Sequence, residues 1–118
     1  MELSIKWHRP IALVDGDKHN LIYVADGLDS WENVPGVYMF ARMFNDEVFP
    51  LYIGKAESIG GRAWQHFKNS TKLMTSIKKS AKGARVFIPG KFTPKPGQST
   101  KKCIALVEHA LIIHALAE

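Results

Sequence analysis

The chain has a single cysteine, no apolar run of membrane-spanning length, and no acidic residue between Glu57 and Glu108. Cys103 alone cannot close an intramolecular disulfide, and it sits in an apolar stretch of helical character, which fits a reducing compartment. A helix that crosses a bilayer needs about 20 successive apolar residues. None exists here, so no membrane partner is expected. The opening residues MELSIKWHRP lack the charged-then-apolar pattern of a secretion signal, which makes a cytoplasmic location the expectation. The sequon Asn69-Ser70-Thr71 then has no consequence.

The missing acids divide the charge. Residues 1–57 hold five Lys and Arg against nine Asp and Glu, whereas residues 58–118 hold eleven against only Glu108 and Glu118. A one-sided basic surface is what a polyanion partner selects, because each neutralised phosphate releases counterions. A solvated lysine-rich face reads the same way at this level. Lys78, Lys79, Lys82, Lys91 and Lys95 are the candidate phosphate-binding lysines. At 118 residues and 46% hydrophobic content the chain supports one compact domain with a real core.

Short β-rich runs at 3–8, 11–15 and 20–25 are broken by Pro10 and by the polar stretch 15–20, and read as a hairpin extension over residues 1–34. Pro35-Gly36 opens the run 37–44. The polar turn Asn45-Asp46-Glu47 separates it from 48–54, the strongest hairpin signal in the sequence. Ser58 can cap a helix to about Phe67, with Ile59, Ala63 and Phe67 on one stripe and Arg62 and His66 on the next. A weaker helix at 71–81, a strand at 84–88 and a breaker-rich loop at 89–100 follow. The last element, 101–117, has Glu108, His109 and His114 as its only polar residues after Cys103, a pattern that predicts burial on most sides.

Gly36-Val37-Tyr38, then Tyr52-Ile53-Gly54 with Lys55, then Arg62 and His66 four residues on, then Glu108 in a C-terminal helix, together resemble the GIY-YIG nucleases. The resemblance covers about residues 35–115. It implies an α/β (α+β) domain at 35–118, in which a small antiparallel β-sheet flanked by helices carries the site. It also implies a metal-dependent endonuclease that hydrolyses phosphodiester bonds in nucleic acid, DNA before RNA. Two departures stand out. No Asn follows Glu108, and Ser58 occupies a position often held by Asn.

The same residues make chemical sense unaided. Phosphodiester hydrolysis needs an aligned water, a base for its proton, and positive charge for the phosphoryl oxygens. Arg62 offers a forked cation that Lys cannot copy. Glu108, set among Ile104 and Ile112, needs a cation or donors, and is the expected metal ligand. A single carboxylate points to one ion, Mg²⁺ with Mn²⁺ as the alternative, completed by water and phosphate. Tyr38 is expected as proton acceptor once a neighbouring cation, Lys55 or a metal-bound water, lowers its phenol. Tyr52 is the expected orienter and His66 the rival base. Gly54 completes the substrate-binding set, and Gly60-Gly61, costly in a helix, would suit close approach of DNA or a plain loop.

Two other readings stay open: a non-catalytic nucleic-acid binder, and a partner-docking domain that uses the acidic first 57 residues. A core this small has little surface for base readout, so specificity is expected to come from a homodimer, DNA shape or a partner protein. No HExxH or HxxEH motif is present to support zinc, Asp15-Gly16-Asp17 lacks the remaining calcium ligands, and 97–101 lacks P-loop spacing. Finally, Tyr38 and Tyr52 can share a face of the sheet only if the hairpin has an odd loop or a single bulge. The absence of glycine at 45–46 disfavours a two-residue turn.

Overall fold

Pro35 restricts its predecessor to extended backbone, and the chain runs from there into the longest hairpin of the molecule. The computed structural model describes the backbone of residues 3–117 and the side chains of residues 3–115; Glu2 and Glu118, which enter the charge balance, lie outside it. The strands are β1 (Ile5–Trp7), β2 (Ile11–Ala12), β3 (Val14–Asp15), β4 (Tyr23–Val24), β5 (Gly36–Phe44), β6 (Glu47–Ala56) and β7 (Ala84–Phe92). The helices are α1 (Ile59–Asn69), α2 (Thr71–Lys78) and α3 (Thr100–Ala117). The fold is α+β. An antiparallel sheet in the order β1-β7-β5-β6, with β2 also on β7, is flanked by the three helices. No described helix is long and apolar enough to cross a membrane.

The residues before β5 form less of an independent hairpin than their pattern predicts. Only β3 and β4 pair with each other, Val14 opposite Val24. β1 and β2 extend the main sheet along β7, with Trp7 opposite Gly90 and Ile11 opposite Phe87. β7 runs four residues past the expected end at Ile88, through Pro89 and Gly90. The ladder tolerates this proline because its backbone faces the break between β1 and β2. The Pro89 carbonyl accepts from His8 N at 2.9 Å on that side, and the missing N–H would point the same way.

The sheet has two unlike faces. Tyr38, Phe40 and Phe87 lie on the first and pack with Ile59, Ala63 and Phe67 of α1 and with Met74 and Ile77 of α2. On the second, Phe92 and Ile5 pack against Cys103 and Ile104 of α3. α3 is not buried on most sides as its composition predicts: Leu106 and Ile113 are 51% and 53% exposed. One side of the helix meets the sheet, and nothing among the described residues covers the other.

Ser58 caps α1 as expected, its hydroxyl accepting from Gly61 N at 3.2 Å and also from Asn33 N at 3.0 Å. Gly60 is explained within the protein. A Cβ there would come within 2.6 Å of the Leu28 carbonyl oxygen in the 3₁₀ turn Leu28–Trp31, which packs on the start of α1. The close approach is to this turn, with no need to invoke DNA.

Candidate active site

The β5–β6 hairpin closes through a two-residue turn, with Phe44 opposite Glu47. Asn45 and Asp46 take φ of 52° and 65°, the left-handed pair that a type I′ turn requires and that Asn and Asp tolerate better than other non-glycine residues. The expectation drawn from the missing glycine is thus wrong for the turn. Continued unchanged, that register would set Tyr52 opposite Met39, on the face away from Tyr38. A bulge prevents this. Ala41 opposes Pro50, Phe40 opposes Tyr52, and Leu51 is the extra residue between them. Tyr38 then opposes Gly54 with Tyr52 diagonal to it, and the two rings lie 6.4 Å apart on one face.

Gly54 has a steric reason to be glycine. A Cβ at this position would run into the ring and hydroxyl of Tyr38, so the bare backbone is what lets the phenol lie across β6. The hydroxyl ends 2.7 Å from His66 Nε2, and His66 Nδ1 is 3.1 Å from Ser70 Oγ. Both rings are nearly sealed, Tyr38 at 1% and His66 at 3% exposure. Tyr52 is half-buried and meets the imidazole edge-on at 5.2 Å.

Burial raises the Tyr38 phenol well above its usual range, and the neighbouring Tyr52 raises it further. The closeness and positive charge of the Arg62 guanidinium oppose these effects but do not overcome them, and Glu108 adds a last, smaller upward push. The expected lowering by a neighbouring cation is therefore overruled by desolvation. Lys55, one of the two cations expected in that role, points to the other face. His66 moves the other way, down to about 4, first because burial penalises the imidazolium and then because Arg62 repels it.

Arg62 stands on α1, exposed, with Nη1 donating to Gln65 Oε1 at 2.8 Å in a solvent-facing pair. Tyr38, Tyr52, Arg62 and His66 therefore share the first face. Lys55 opposes Val37 and so projects from the second, where its Nζ lies 3.8 Å from Glu108 Oε1. The face expected to carry all the chemistry holds every member except this pair. Glu108 belongs to α3, yet its charge still bears on the Tyr38 phenol. The carboxylate is neither sealed nor tightly bonded, and a 3.8 Å pairing leaves its oxygens able to take a hard cation. Among the described residues no cluster of three or more His, Cys, Asp or Glu could hold a metal. An ion at Glu108 would thus be completed by water and phosphate, which suits Mg²⁺ or Mn²⁺ and is poor for zinc.

Two open clefts meet at Lys55, Ala56 and Glu57. One, of about 270 Å³, continues to Ser58, Arg62 and Gln65; the other, of about 470 Å³, continues to Lys101 and Lys102 at the start of α3. The lysines expected to bind substrate are spread more widely. Lys91 lies opposite Gly36, at the end of the sheet that carries the site, and Lys95 is in the loop after β7. Lys82 leads into Ala84, which opposes Met43. That is five residues along β5 from Tyr38, or about 16 Å at strand rise. Lys78 lines a separate cleft of about 480 Å³ between residues 15–23 and α1–α2. Lys78, Lys79 and Lys82 are therefore not brought together with the site.

Two other basic residues are structural. Arg85 donates to the carbonyls of Ile77, Lys78, Ser80 and Gly83, closing the end of α2. Arg42 donates to the Lys82 carbonyl at 3.0 Å and lies over the Phe49 ring. Sequence reasoning missed Gln65, Ser70, Lys101 and Lys102. Gln65 is three residues from Arg62 and Ser70 four from His66, the helical spacings at which side chains meet. Compared with protein-family models, curated proteins and solved structures, the chain matches none. The chemistry of the site rests on its own geometry.

Proposed function

We propose that this protein is a divalent-metal-dependent endonuclease that hydrolyses phosphodiester bonds in nucleic acid, DNA first, with a site built from Tyr38, Tyr52, Arg62, His66 and the Lys55–Glu108 pair. The observation that carries this reading is the sealed Tyr38–His66 hydrogen bond set beside an arginine fork at the end of an open cleft. A buried phenol and imidazole with perturbed proton affinities next to a cleft-lining guanidinium are costly as packing and useful as chemistry.

Arg62 binds the scissile phosphate through its fork. A water attacks phosphorus as its proton passes to the Tyr38 oxygen and the Tyr38 proton passes to His66 Nε2; the ester oxygen departs with its electron pair. Tyr38 thus works as a relay and need never exist as free phenolate, a form that its burial opposes. His66 is the terminal base. Its low proton affinity in the free protein comes partly from the uncompensated charge of Arg62, and a phosphate seated on that guanidinium removes this part. Tyr52, diagonal to Tyr38 and half-buried, orients the water by donating a hydrogen bond. Glu108 would hold Mg²⁺, with Mn²⁺ as the alternative, and the bound ion supplies positive charge to the phosphoryl and leaving oxygens.

The test is incubation with plasmid, branched and single-stranded substrates, with and without Mg²⁺. Metal-dependent cleavage that Glu108→Ala abolishes, while leaving nucleic-acid binding nearly intact, is the expected result. The near-complete burial of Tyr38 favours one rival, a binder without catalysis. Salt-sensitive binding with no cleavage on any substrate would establish it.

A further inference from the structure

Ser70 is the N-cap residue of α2, the place where a serine hydroxyl ordinarily accepts from a first-turn amide. It makes no such bond. Ser58, at the same position of α1, does. The Ser70 hydroxyl is turned back instead to His66, with Oγ 3.1 Å from Nδ1. α2 forgoes a side-chain cap so that one imidazole nitrogen has a partner.

The donors and acceptors present fix the direction of both bonds. The Tyr38 hydroxyl is nearly sealed and must place its proton on an acceptor, and among the described residues its one hydrogen-bond partner is a ring nitrogen. His66 Nε2 at 2.7 Å is that acceptor. Nε2 must then be unprotonated, and a neutral imidazole with a bare Nε2 carries its hydrogen on Nδ1. The Ser70 oxygen is what that hydrogen meets. We propose that Ser70 is a positioning residue of this site, its hydroxyl holding His66 in the Nδ1–H tautomer so that Nε2 stays open to the Tyr38 proton. This role rests on the reading of Tyr38 and His66 as the proton path.

Ser70 does not line the clefts that meet at Lys55–Glu57, so its removal should act on turnover and not on substrate binding. Ser70→Ala is expected to lower kcat roughly 10- to 100-fold, a part of what a placed base contributes, with KM nearly unchanged. Ser70→Thr keeps the hydroxyl and should recover activity to within a few-fold. The decisive measurement needs no activity. In ¹⁵N-histidine-labelled protein, nitrogen shifts and two-bond couplings, assigned with His66→Gln, report which ring nitrogen of His66 bears hydrogen. The wild type should show Nδ1–H, and Ser70→Ala should shift toward Nε2–H at unchanged fold.

A wild-type Nε2–H tautomer would overturn the proposal, as would a Ser70→Ala protein that loses turnover while its tautomer stays the same, since the loss would then be structural. Absence of cleavage by the wild type on every substrate defeats the nuclease reading. It leaves the tautomer result to decide the role of Ser70 separately.

Discussion

His66 shows how one residue links site and stability. Its imidazole is held neutral at 3% exposure, with its proton affinity lowered to about 4 from 6.5. Between those values the unfolded chain binds a proton that the folded protein refuses. Folding stability should therefore rise with pH across this window, stay level above about 6.5, and be lost as pH falls through 4. Denaturant titrations at about pH 7 and about pH 4.5 are expected to differ by roughly 2 kcal/mol through this group. His66→Gln should flatten that part of the profile, and a slope unchanged by the substitution would dissociate it from His66. At Arg62 the matter is shape. Its fork donates to Gln65 from a place close enough to the Tyr38 phenol to bear on its charge, and a lysine ammonium cannot copy that planar, two-pronged geometry. Arg62→Lys is expected to lower kcat/KM by about 10²-fold at nearly unchanged thermal stability. Near-normal turnover would remove Arg62 from the chemistry.

The elements show a division between what periodicity reveals and what pairing decides. The hairpin, α1, α3 and the strand after residue 83 are readable from alternation, capping and helical spacing, and so is the stripe that sets Arg62 beside His66. The type I′ turn escapes a rule that looks only for glycine, because Asn45 and Asp46 also tolerate the left-handed region. Pro89 looks like a strand terminator because its neighbour across the sheet is a gap that no local pattern records. Lys55 could be placed from alternation alone, three residues past Tyr52 and so on the other face, whereas the placement of Glu108 is hidden, since it depends on where α3 docks. Residual strain in the turn is testable. Asp46 at φ 65° should be better served by glycine, and Asp46→Gly is expected to stabilise the protein by roughly 0.5–1 kcal/mol. A raised Tm with unaltered activity is the expected outcome, because the turn lies at the far end of β5 from Tyr38.

On the scale of the whole molecule, the positive charge resolves into groups with different work. Arg85 and Arg42 are occupied with backbone carbonyls, and Lys78, Lys79 and Lys82 gather near the end of α2 and the approach to β7, away from Tyr38. Lys55, Arg62, Lys101 and Lys102 instead surround two clefts that join at Lys55–Glu57. Under the proposed function, a nucleic-acid strand whose phosphate rests on Arg62 would pass Lys55 and Glu57 from one cleft to the other and reach Lys101 and Lys102. Screening limits what the distant lysines add, since a separation beyond about 10 Å exceeds the Debye length at about 0.1 M salt. The double substitution Lys101→Ala/Lys102→Ala is therefore expected to weaken binding at all sequences and to reduce the slope of log affinity against log salt by about one unit for each phosphate left without its lysine. Lys78→Ala/Lys79→Ala, which removes the same formal charge, should change that slope much less. Equal effects from the two pairs would mean that net charge alone governs binding. A larger effect from the Lys78–Lys79 pair would place the strand across α2, and the clefts beside Arg62 would lose their claim to the substrate.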